Sequence, residues 1–400
     1  NNTTTNNNNN NNKDHMNGQQ ESDDDEDDED DGATTVPIRG PLPPNDGKWA
    51  SCIRVVEPAS GNTLELLELT ENEAAFSVCT CRFSGRTEEA FIIVGTAKDL
   101  TLHPRQCSAS YLHVYRLLDN RLQLLHKTPV EDTVFTMCEY QGKLLVGAGR
   151  SLRLFELGKK KLLKKCENKM FPTSIVKILT HGDRIFVGDM NESVLFVKYK
   201  RSDNVLIIFA DDTVPRFVTS FCILDHDTVG GADKFGNIWV LRLPAAVNDE
   251  MDNPTGSRIL WDQGLLNGAP NKLEMLNHFH LGDVVTTVCK TSLVPGGHEC
   301  MLVATISGGI YVLVPFTAKE DVSFYQHLEM YMRQELPSLC QRDHLSYRSY
   351  FQPVKETVDG DICERYSILS YTKQKELADD VDRTPMEIMK KLEDTRNALL

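Results

Sequence analysis

The stretch that decides the fold is Lys143-Leu-Leu-Val-Gly147, an apolar run that ends in a glycine and is followed at once by the strand-like run Ser151–Leu157. Four similar stretches occur along the chain: Phe91-Ile-Ile-Val-Gly95, Arg184-Ile-Phe-Val-Gly188, Asp227-Thr-Val-Gly-Gly231 and Met301-Leu-Val-Ala-Thr305. Successive copies begin 52, 41, 43 and 74 residues apart. The two shorter spacings match the period of about 40–50 residues that is typical of propeller blades.

Each copy lies between two further strand-like runs, which predicts antiparallel sheets of three or four strands. The long spacings coincide with insertions at 98–110 and 244–263. We therefore predict a mainly β protein with a β-propeller at 48–316. Five blades are preceded by two strands, at 48–57 and 62–69, giving about five and a half blades of an incomplete, seven-bladed ring. The missing strands would come from another part of a longer chain.

Two details follow from this interpretation. The glycines of the repeated stretches should lie at tight turns between antiparallel strands, because glycine tolerates the backbone conformations that such turns need. The run Leu152–Leu157 should be a strand with one wetted face, because apolar and polar residues alternate in it.

The two ends of the chain differ from this middle part. Residues 1–47 contain an Asn-rich tract and an acidic block, and they carry −10 of the net charge of −15; this composition predicts a disordered linker. Residues 317–400 have helical periodicity and predict a small C-terminal helical domain. Its last helix has a predicted capping box, with Thr384 as N-cap, Pro385 at the first position and Glu387 at the third.

The sequence offers no catalytic constellation, cofactor motif or metal site. Eleven cysteines are scattered without a CxxC pair, which favours free, mostly buried thiols. The paired acids Asp359 and Asp361 are better explained as helix-capping or turn residues than as metal ligands. No apolar run is long enough to span a membrane, and no signal peptide opens the chain.

A basic stretch at Lys159–Lys161, Lys164 and Lys165 has two interpretations. It could contact RNA or an acidic partner, or it could be a polar hairpin between outer strands, and the second is favoured because one hairpin offers few phosphate contacts. Residues 48–400 carry a net charge of only −5, which gives no electrostatic footprint for nucleic acid.

Longer stretches carry a resemblance to a known family. They include Lys48-Trp-Ala-Ser51, Asn72-Glu-Ala-Ala-Phe-Ser77, Ile207-Ile-Phe-Ala-Asp-Asp212, Gly231-Ala-Asp-Lys-Phe-Gly-Asn237 and Arg342-Asp-His-Leu-Ser346. From about Lys48 to Leu400 the chain resembles the C-terminal third of the splicing factor 3b subunit 3 family. The wider family includes the damaged-DNA-binding large subunit of ubiquitin ligases and the large cleavage and polyadenylation specificity subunit.

The resemblance implies three propellers and a C-terminal helical domain in the whole protein, with the third propeller closed by a short N-terminal segment. It implies a non-catalytic scaffold in the nucleus, within the U2 small nuclear ribonucleoprotein (U2 snRNP) and the spliceosome. The implied partners are the HEAT-repeat subunit and a small helical subunit of splicing factor 3b, with RNA contact indirect or minor.

Inserted loops are where we expect partner contacts, because binding residues concentrate on loops. The candidate partner-binding residues are Lys98, Asp99, His103, Arg105, Asp252, Trp261, Asp262, Arg342 and His344. Two alternatives to a splicing scaffold remain at this point. One is an adaptor of a ubiquitin ligase or a polyadenylation complex; the other is a propeller enzyme with a metal at its channel.

Overall fold

The computed structural model describes residues 40–250, 268–336 and 341–399. These residues form 24 β-strands; one short helix lies between the nineteenth and twentieth strands, and the other helices follow the last strand. The strands are β1 Cys52–Val56, β2 Thr63–Glu68, β3 Glu73–Cys81, β4 Phe91–Lys98, β5 Thr101–Leu102, β6 Arg105–Gln106, β7 Ala109–Leu118, β8 Arg121–Val130, β9 Val134–Tyr140, β10 Lys143–Ala148, β11 Ser151–Glu156, β12 Leu163–Asn168, β13 Ile175–His181, β14 Arg184–Asp189, β15 Val194–Lys200, β16 Val205–Asp211, β17 Val218–Ile223, β18 Thr228–Asp233, β19 Asn237–Arg242, β20 Asn271–Lys272, β21 Glu274–His280, β22 Val285–Ser292, β23 Glu299–Thr305 and β24 Ile310–Leu313.

The helices are α1 Ala245–Glu250, α2 Lys319–Glu335, α3 His344–Tyr347, α4 Gly360–Glu364, α5 Tyr371–Asp380 and α6 Pro385–Asn397, with a 3₁₀ turn at Arg365–Ile368. No helix among the described residues is long and apolar enough to cross a membrane.

The strands form five consecutive antiparallel sheets, which we call sheets A to E. Sheet A contains β3, β4, β7 and β8; sheet B contains β9–β12; sheet C contains β13–β16; sheet D contains β17, β18, β19 and β21; and sheet E contains β22–β24. The short β20 joins the outer edge of sheet C in parallel, and β1–β2 and β5–β6 are separate hairpins. In each sheet the second strand is one copy of the repeated stretch, and the prediction of a mainly β protein built from antiparallel sheets is confirmed.

The apolar cores lie between neighbouring sheets. One core joins sheets A and B around Phe91 and Val146, and the next joins B and C around Leu145 and Ile185. Two further cores continue the series, from C to D around Phe221 and from D to E. The second strands of sheets B and C, β10 and β14, each lie between two of these cores and are buried on both faces, which is why their sequences are continuously apolar.

The glycines of the repeat have a different role from the predicted one. Gly95, Gly147 and Gly188 lie inside strands β4, β10 and β14, and a Cβ atom on each would collide with the next sheet. For Gly147 the collision is with Cγ2 of Ile175, 2.5 Å away. The prediction of tight turns was wrong, because glycine is needed here for close approach between sheets.

The predicted wetted face of the run at 152–157 is also wrong. All but the last residue of β11 are buried, including Arg153, because a fourth strand covers its edge and both faces pack against neighbours. Nε of Arg153 donates to Glu167 Oε1 at 2.6 Å, and its Nη2 donates to Glu131 Oε2 at 2.6 Å. The half-exposed strand of this sheet is β12.

The C-terminal helices enclose a core of their own. Helix α2 buries Tyr325, Leu328 and Met332 against α4, α5 and α6. Phe324 of the same helix is only partly buried. The capping box of α6 is confirmed: Thr384 Oγ1 accepts from the backbone N–H of Glu387, and the Glu387 carboxylate accepts from the backbone N–H of Thr384.

Ten described cysteines are free, but only four are buried, fewer than predicted.

Candidate interaction surface

The predicted loop at 98–110 is a small hairpin, β5–β6, that extends sheet A beyond the ends of β4 and β7. We call it the sheet A hairpin. Leu102, His103 and Arg105 are exposed on it, and Leu102 keeps 64 % of its surface open to solvent. The hairpin therefore presents one apolar and two polar side chains on a short, hydrogen-bonded element.

The base of the hairpin is fixed by Asp99, which adopts a left-handed backbone conformation with φ of +53°. Its carboxylate accepts from Asn72 Nδ2 at 2.7 Å and from Ser108 Oγ at 2.5 Å. These hydrogen bonds, first that of Ser108 and then that of Asn72, hold the pKa of Asp99 below its ordinary value. The carbonyl of Lys98 accepts from the backbone N–H of Ser108 at 3.0 Å. Asp99 and the backbone of Lys98 thus shape the hairpin base.

Behind the hairpin lies a ladder of half-buried aromatic rings that the sequence analysis missed. Trp49 meets Phe76 edge to face at 5.7 Å between ring centroids, and Phe76 meets Phe135 at 5.5 Å. The guanidinium carbon of Arg105 lies 5.3 Å from the centroid of the Phe135 ring. Trp49 Nε1 also donates to the carbonyl of Leu100 at 2.7 Å, which ties the ladder to the hairpin.

The ladder exists because β3 and β9 are bulged. Phe76 and Phe135 are each skipped in the pairing register of their strand, and a bulge re-aims the extra side chain. No local sequence signal marks a bulge, although the aromatic residues themselves could have been noted. The ladder places the Phe135 ring against the guanidinium group of Arg105, and this contact favours one position of the Arg105 side chain.

The predicted residues near the C-terminus lie in and just before helix α3, beside sheet D. Arg342 is exposed just before α3, whereas His344 is half-buried at the first position of that helix. Nε2 of His344 lies 2.8 Å from Asp359 Oδ2, and Arg348 Nε donates to the same oxygen at 2.7 Å. Asp359 is also the N-cap of α4, as predicted. The backbone N–H of Asp359 donates to the carboxylate of Glu329, and burial raises the pKa of Glu329 above its ordinary value.

This buried cluster fixes the C-terminal helices to the edge of sheet D. Arg348 Nη1 donates to the carbonyl of Leu281 at 3.3 Å, and the backbones of His278 and Lys355 exchange two hydrogen bonds. His344 therefore supports this junction. Among the described residues, the predicted positions fall in two places, the sheet A hairpin and the segment beside sheet D. Asp252, Trp261 and Asp262 lie outside the described residues.

The described part of the chain contains no group of three or more His, Cys, Asp or Glu side chains arranged to hold a metal ion. Some of its acids take part in turns and caps. Asp233, for example, accepts from Asn237 Nδ2 at 2.8 Å and from the backbone N–H of Phe235 at 2.9 Å.

Comparison with known proteins agrees with this architecture. A family model described as the CPSF A subunit region matches residues 50–368. The chain therefore belongs to the CPSF A subunit family. In this chain the matched region consists of the repeated sheets and the first helices that follow them.

Within that class the chain is similar to splicing proteins. It is 51 % identical over 353 residues to splicing factor 3B subunit 3 of Danio rerio, and 51 % identical over 357 residues to probable splicing factor 3B subunit 3 of Dictyostelium discoideum. Spliceosome-associated protein 130 A of Arabidopsis thaliana is 50 % identical over 357 residues. Each alignment covers 88 % of this chain but only 28–29 % of the relative, so the chain spans less than a third of their length. The resemblance seen in the sequence is confirmed.

Proposed function

We propose that this chain acts as a non-catalytic protein-interaction scaffold in pre-mRNA splicing. It would belong to the splicing factor 3b complex of the U2 snRNP and support branch-site recognition. The observation that carries the proposal is an identity of about 50 % over 88 % of the chain with relatives that are named as splicing factor 3B subunit 3. These names do not favour the alternative of a ubiquitin-ligase or polyadenylation adaptor.

The architecture we propose for this role is an incomplete propeller. Sheets A to E would be five blades, and the hairpin β1–β2 would be half of another, giving about five and a half blades of a seven-bladed ring. Two features support this: the first strands of consecutive sheets are neighbours, and sheet E has three strands in the described residues. Strands from elsewhere in a longer chain would close the ring and cover its open edges.

The same proposal divides the chain into a linker at 1–47, the propeller at 48–316 and the helical domain at 317–400. We place the protein in the nucleus, within the spliceosome and without a membrane. Its direct partners would be the HEAT-repeat subunit and the small helical subunit of splicing factor 3b. RNA contact would be indirect or minor, because residues 48–400 carry a net charge of −5 and RNA binding needs several phosphate contacts. No cofactor is needed for this role.

The surface we assign to partner binding is the sheet A hairpin. Its exposed Leu102, His103 and Arg105 stand on a rigid base, so that little conformational entropy is lost when a partner orders them. The guanidinium group of Arg105 also packs against the Phe135 ring, which restricts its motion before a partner binds. Arginine is enriched at the centres of protein interfaces.

The test is an add-back experiment with the full-length protein. Nuclear extract is depleted of the protein, and splicing of a reporter pre-mRNA is measured after addition of wild type, of a His103→Ala/Arg105→Ala variant, or of a Lys159→Ala/Lys160→Ala control on an exposed turn of sheet B. Wild type and the control should restore splicing and co-precipitate splicing factor 3b subunits, whereas the hairpin variant should recover less of them. Equal recovery by all three would reject the hairpin as a contact surface. Failure of wild-type protein to restore splicing would reject the proposed function.

A further inference from the structure

A second aromatic surface lies on sheet D, far along the chain from the sheet A hairpin. Four rings touch in series: Phe217 meets Phe235 at 5.4 Å, Phe235 meets Tyr350 at 5.7 Å, and Tyr350 meets Phe351 at 4.5 Å between centroids. We call these four residues the aromatic platform. Phe351 exposes 86 % of its surface, and Phe235 and Tyr350 are also exposed. A contiguous exposed apolar patch of this kind marks an interaction site more often than a scattered surface residue does.

The platform is held in place before any partner arrives. The carbonyl of Arg348 accepts from the backbone N–H of His280 at 3.0 Å, and Arg348 itself is anchored on the carbonyl of Leu281. The imidazole of His280 stacks on the Tyr350 ring at 5.2 Å, with 22° between the two planes. Phe351 has a backbone φ of +64°, which is unfavourable for a bulky residue and persists only where the surroundings impose it.

The platform carries one positive charge. The ammonium of Lys234 lies 3.7 Å from the centroid of Phe217 and 5.1 Å from that of Phe235. Across residues 40–250, 268–336 and 341–399, no carboxylate lies within ion-pairing distance of it. The nearby acids Asp233 and Asp283 accept hydrogen bonds from backbone N–H groups of their own turns. A carboxylate from outside would therefore meet an available cation here.

We propose that the aromatic platform docks a protein segment in which a bulky aliphatic side chain is flanked by an acidic residue. The aliphatic group would pack on Phe351 and Phe235, and the carboxylate would bind Lys234. Rigid aromatic anchors with a charged rim are typical of interface hot spots. A nucleic-acid strand fits less well, because one lysine neutralises one phosphate and such binding needs several.

This proposal does not depend on the splicing role, since it rests on a different sheet and different residues from the hairpin. It predicts the chemistry of the bound segment, and a random-sequence probe can reveal that chemistry without knowledge of the natural partner. The probe is a phage-displayed library of linear 16-residue peptides, selected on the full-length protein. Selected peptides are then synthesised, and their affinity is measured by fluorescence polarisation.

We expect selected peptides to share Leu, Ile or Met close to Asp or Glu. Phe351→Ala should weaken their binding about 10-fold or more, as loss of a hot-spot anchor does. Phe351→Gly should weaken it equally without loss of thermal stability, because glycine accepts a positive φ. Tyr371→Ala removes another highly exposed ring, on α5, and should leave the affinity unchanged.

A charge exchange tests the second half of the proposal. Lys234→Glu should weaken the selected acidic peptides and strengthen versions in which the acidic residue is replaced by lysine. The proposal is contradicted if no peptide depends on Phe351, if the selected peptides are basic, or if Lys234→Glu has no effect. A fluorescent oligouridine that binds in a Phe351-dependent manner, with peptides failing to do so, would assign the platform to nucleic acid instead.

Discussion

Replacement of Gly147 by alanine should destabilise the junction of sheets B and C. The added Cβ would lie 2.5 Å from Cγ2 of Ile175, 3.0 Å from its Cβ and 3.1 Å from Cγ2 of Thr136. Ile175 is fully buried, and its branched Cβ is tied to the backbone of β13, so the clash cannot be relieved by a simple rotation.

The magnitude can be worked from these contacts. Overpacking of a buried site costs about 1–3 kcal/mol. Part of this is offset, because alanine reduces the conformational entropy of the unfolded chain by about 0.4–1 kcal/mol relative to glycine. With the middle of each range the net loss should be about 1.3 kcal/mol, which corresponds to a fall in Tm of about 3–5 °C at the 2–4 °C per kcal/mol typical of domains of about 150–250 residues.

Thermal unfolding followed by circular dichroism measures the effect. Gly360→Ala is the matched control, because a Cβ there meets nothing within 4 Å and the residue begins helix α4. Ile175→Ala removes the colliding methyl, so the double variant should lose less stability than the sum of the two single variants. An unchanged Tm for Gly147→Ala, or strictly additive losses, would refute the idea that these glycines allow close packing between sheets.

Three further predictions concern buried polar groups and the last helix. Burial, helped by the charge of Arg216, lowers the pKa of His278 to about 4. The unfolded chain therefore takes up a proton there as pH falls from about 6.5 to 4 while the folded chain does not, so stability should drop by about 1.4 kcal/mol per pH unit across that window. In denaturant titrations His278→Gln should flatten this dependence, and an unchanged slope would contradict it. Asp359→Asn leaves the largely buried Arg348 with only the exposed carboxylate of Asp361, 3.8 Å away, and should cost about 3 kcal/mol. Hydrogen exchange should show faster opening of α4, and wild-type protection would argue against this role. Thr384→Ala removes the N-cap of α6 and should cost about 1 kcal/mol by denaturant unfolding, whereas a neutral result would mean that other contacts fix this end.

The repeated β units could be predicted from the sequence because their signal is local. The apolar runs around Val146 and Val187 lie on strands buried on both faces, and such strands need no alternation. The capping box at Thr384 is equally local, since all its partners lie within one turn of helix. These features depend on near neighbours in the chain, and the structure confirms them.

What could not be predicted depends on contacts between distant segments. The sequence cannot show that Ile175 faces Gly147 across two sheets, so the local pattern predicts a turn at the glycine. Alternation likewise places Arg153 on a solvent-facing side, whereas the structure buries it against Glu167 and Glu131. The meeting of Phe235 with Phe351 likewise arises only when the C-terminal segment lies along the edge of sheet D.

The central claim, a scaffold role in splicing, is tested most directly by purification of the tagged full-length protein from nuclear extract with quantitative mass spectrometry of its partners. We expect near-stoichiometric recovery of the HEAT-repeat and small helical subunits of splicing factor 3b together with U2 snRNP components. Recovery of cullins or cleavage and polyadenylation factors in their place would leave the fold standing and contradict the proposed function.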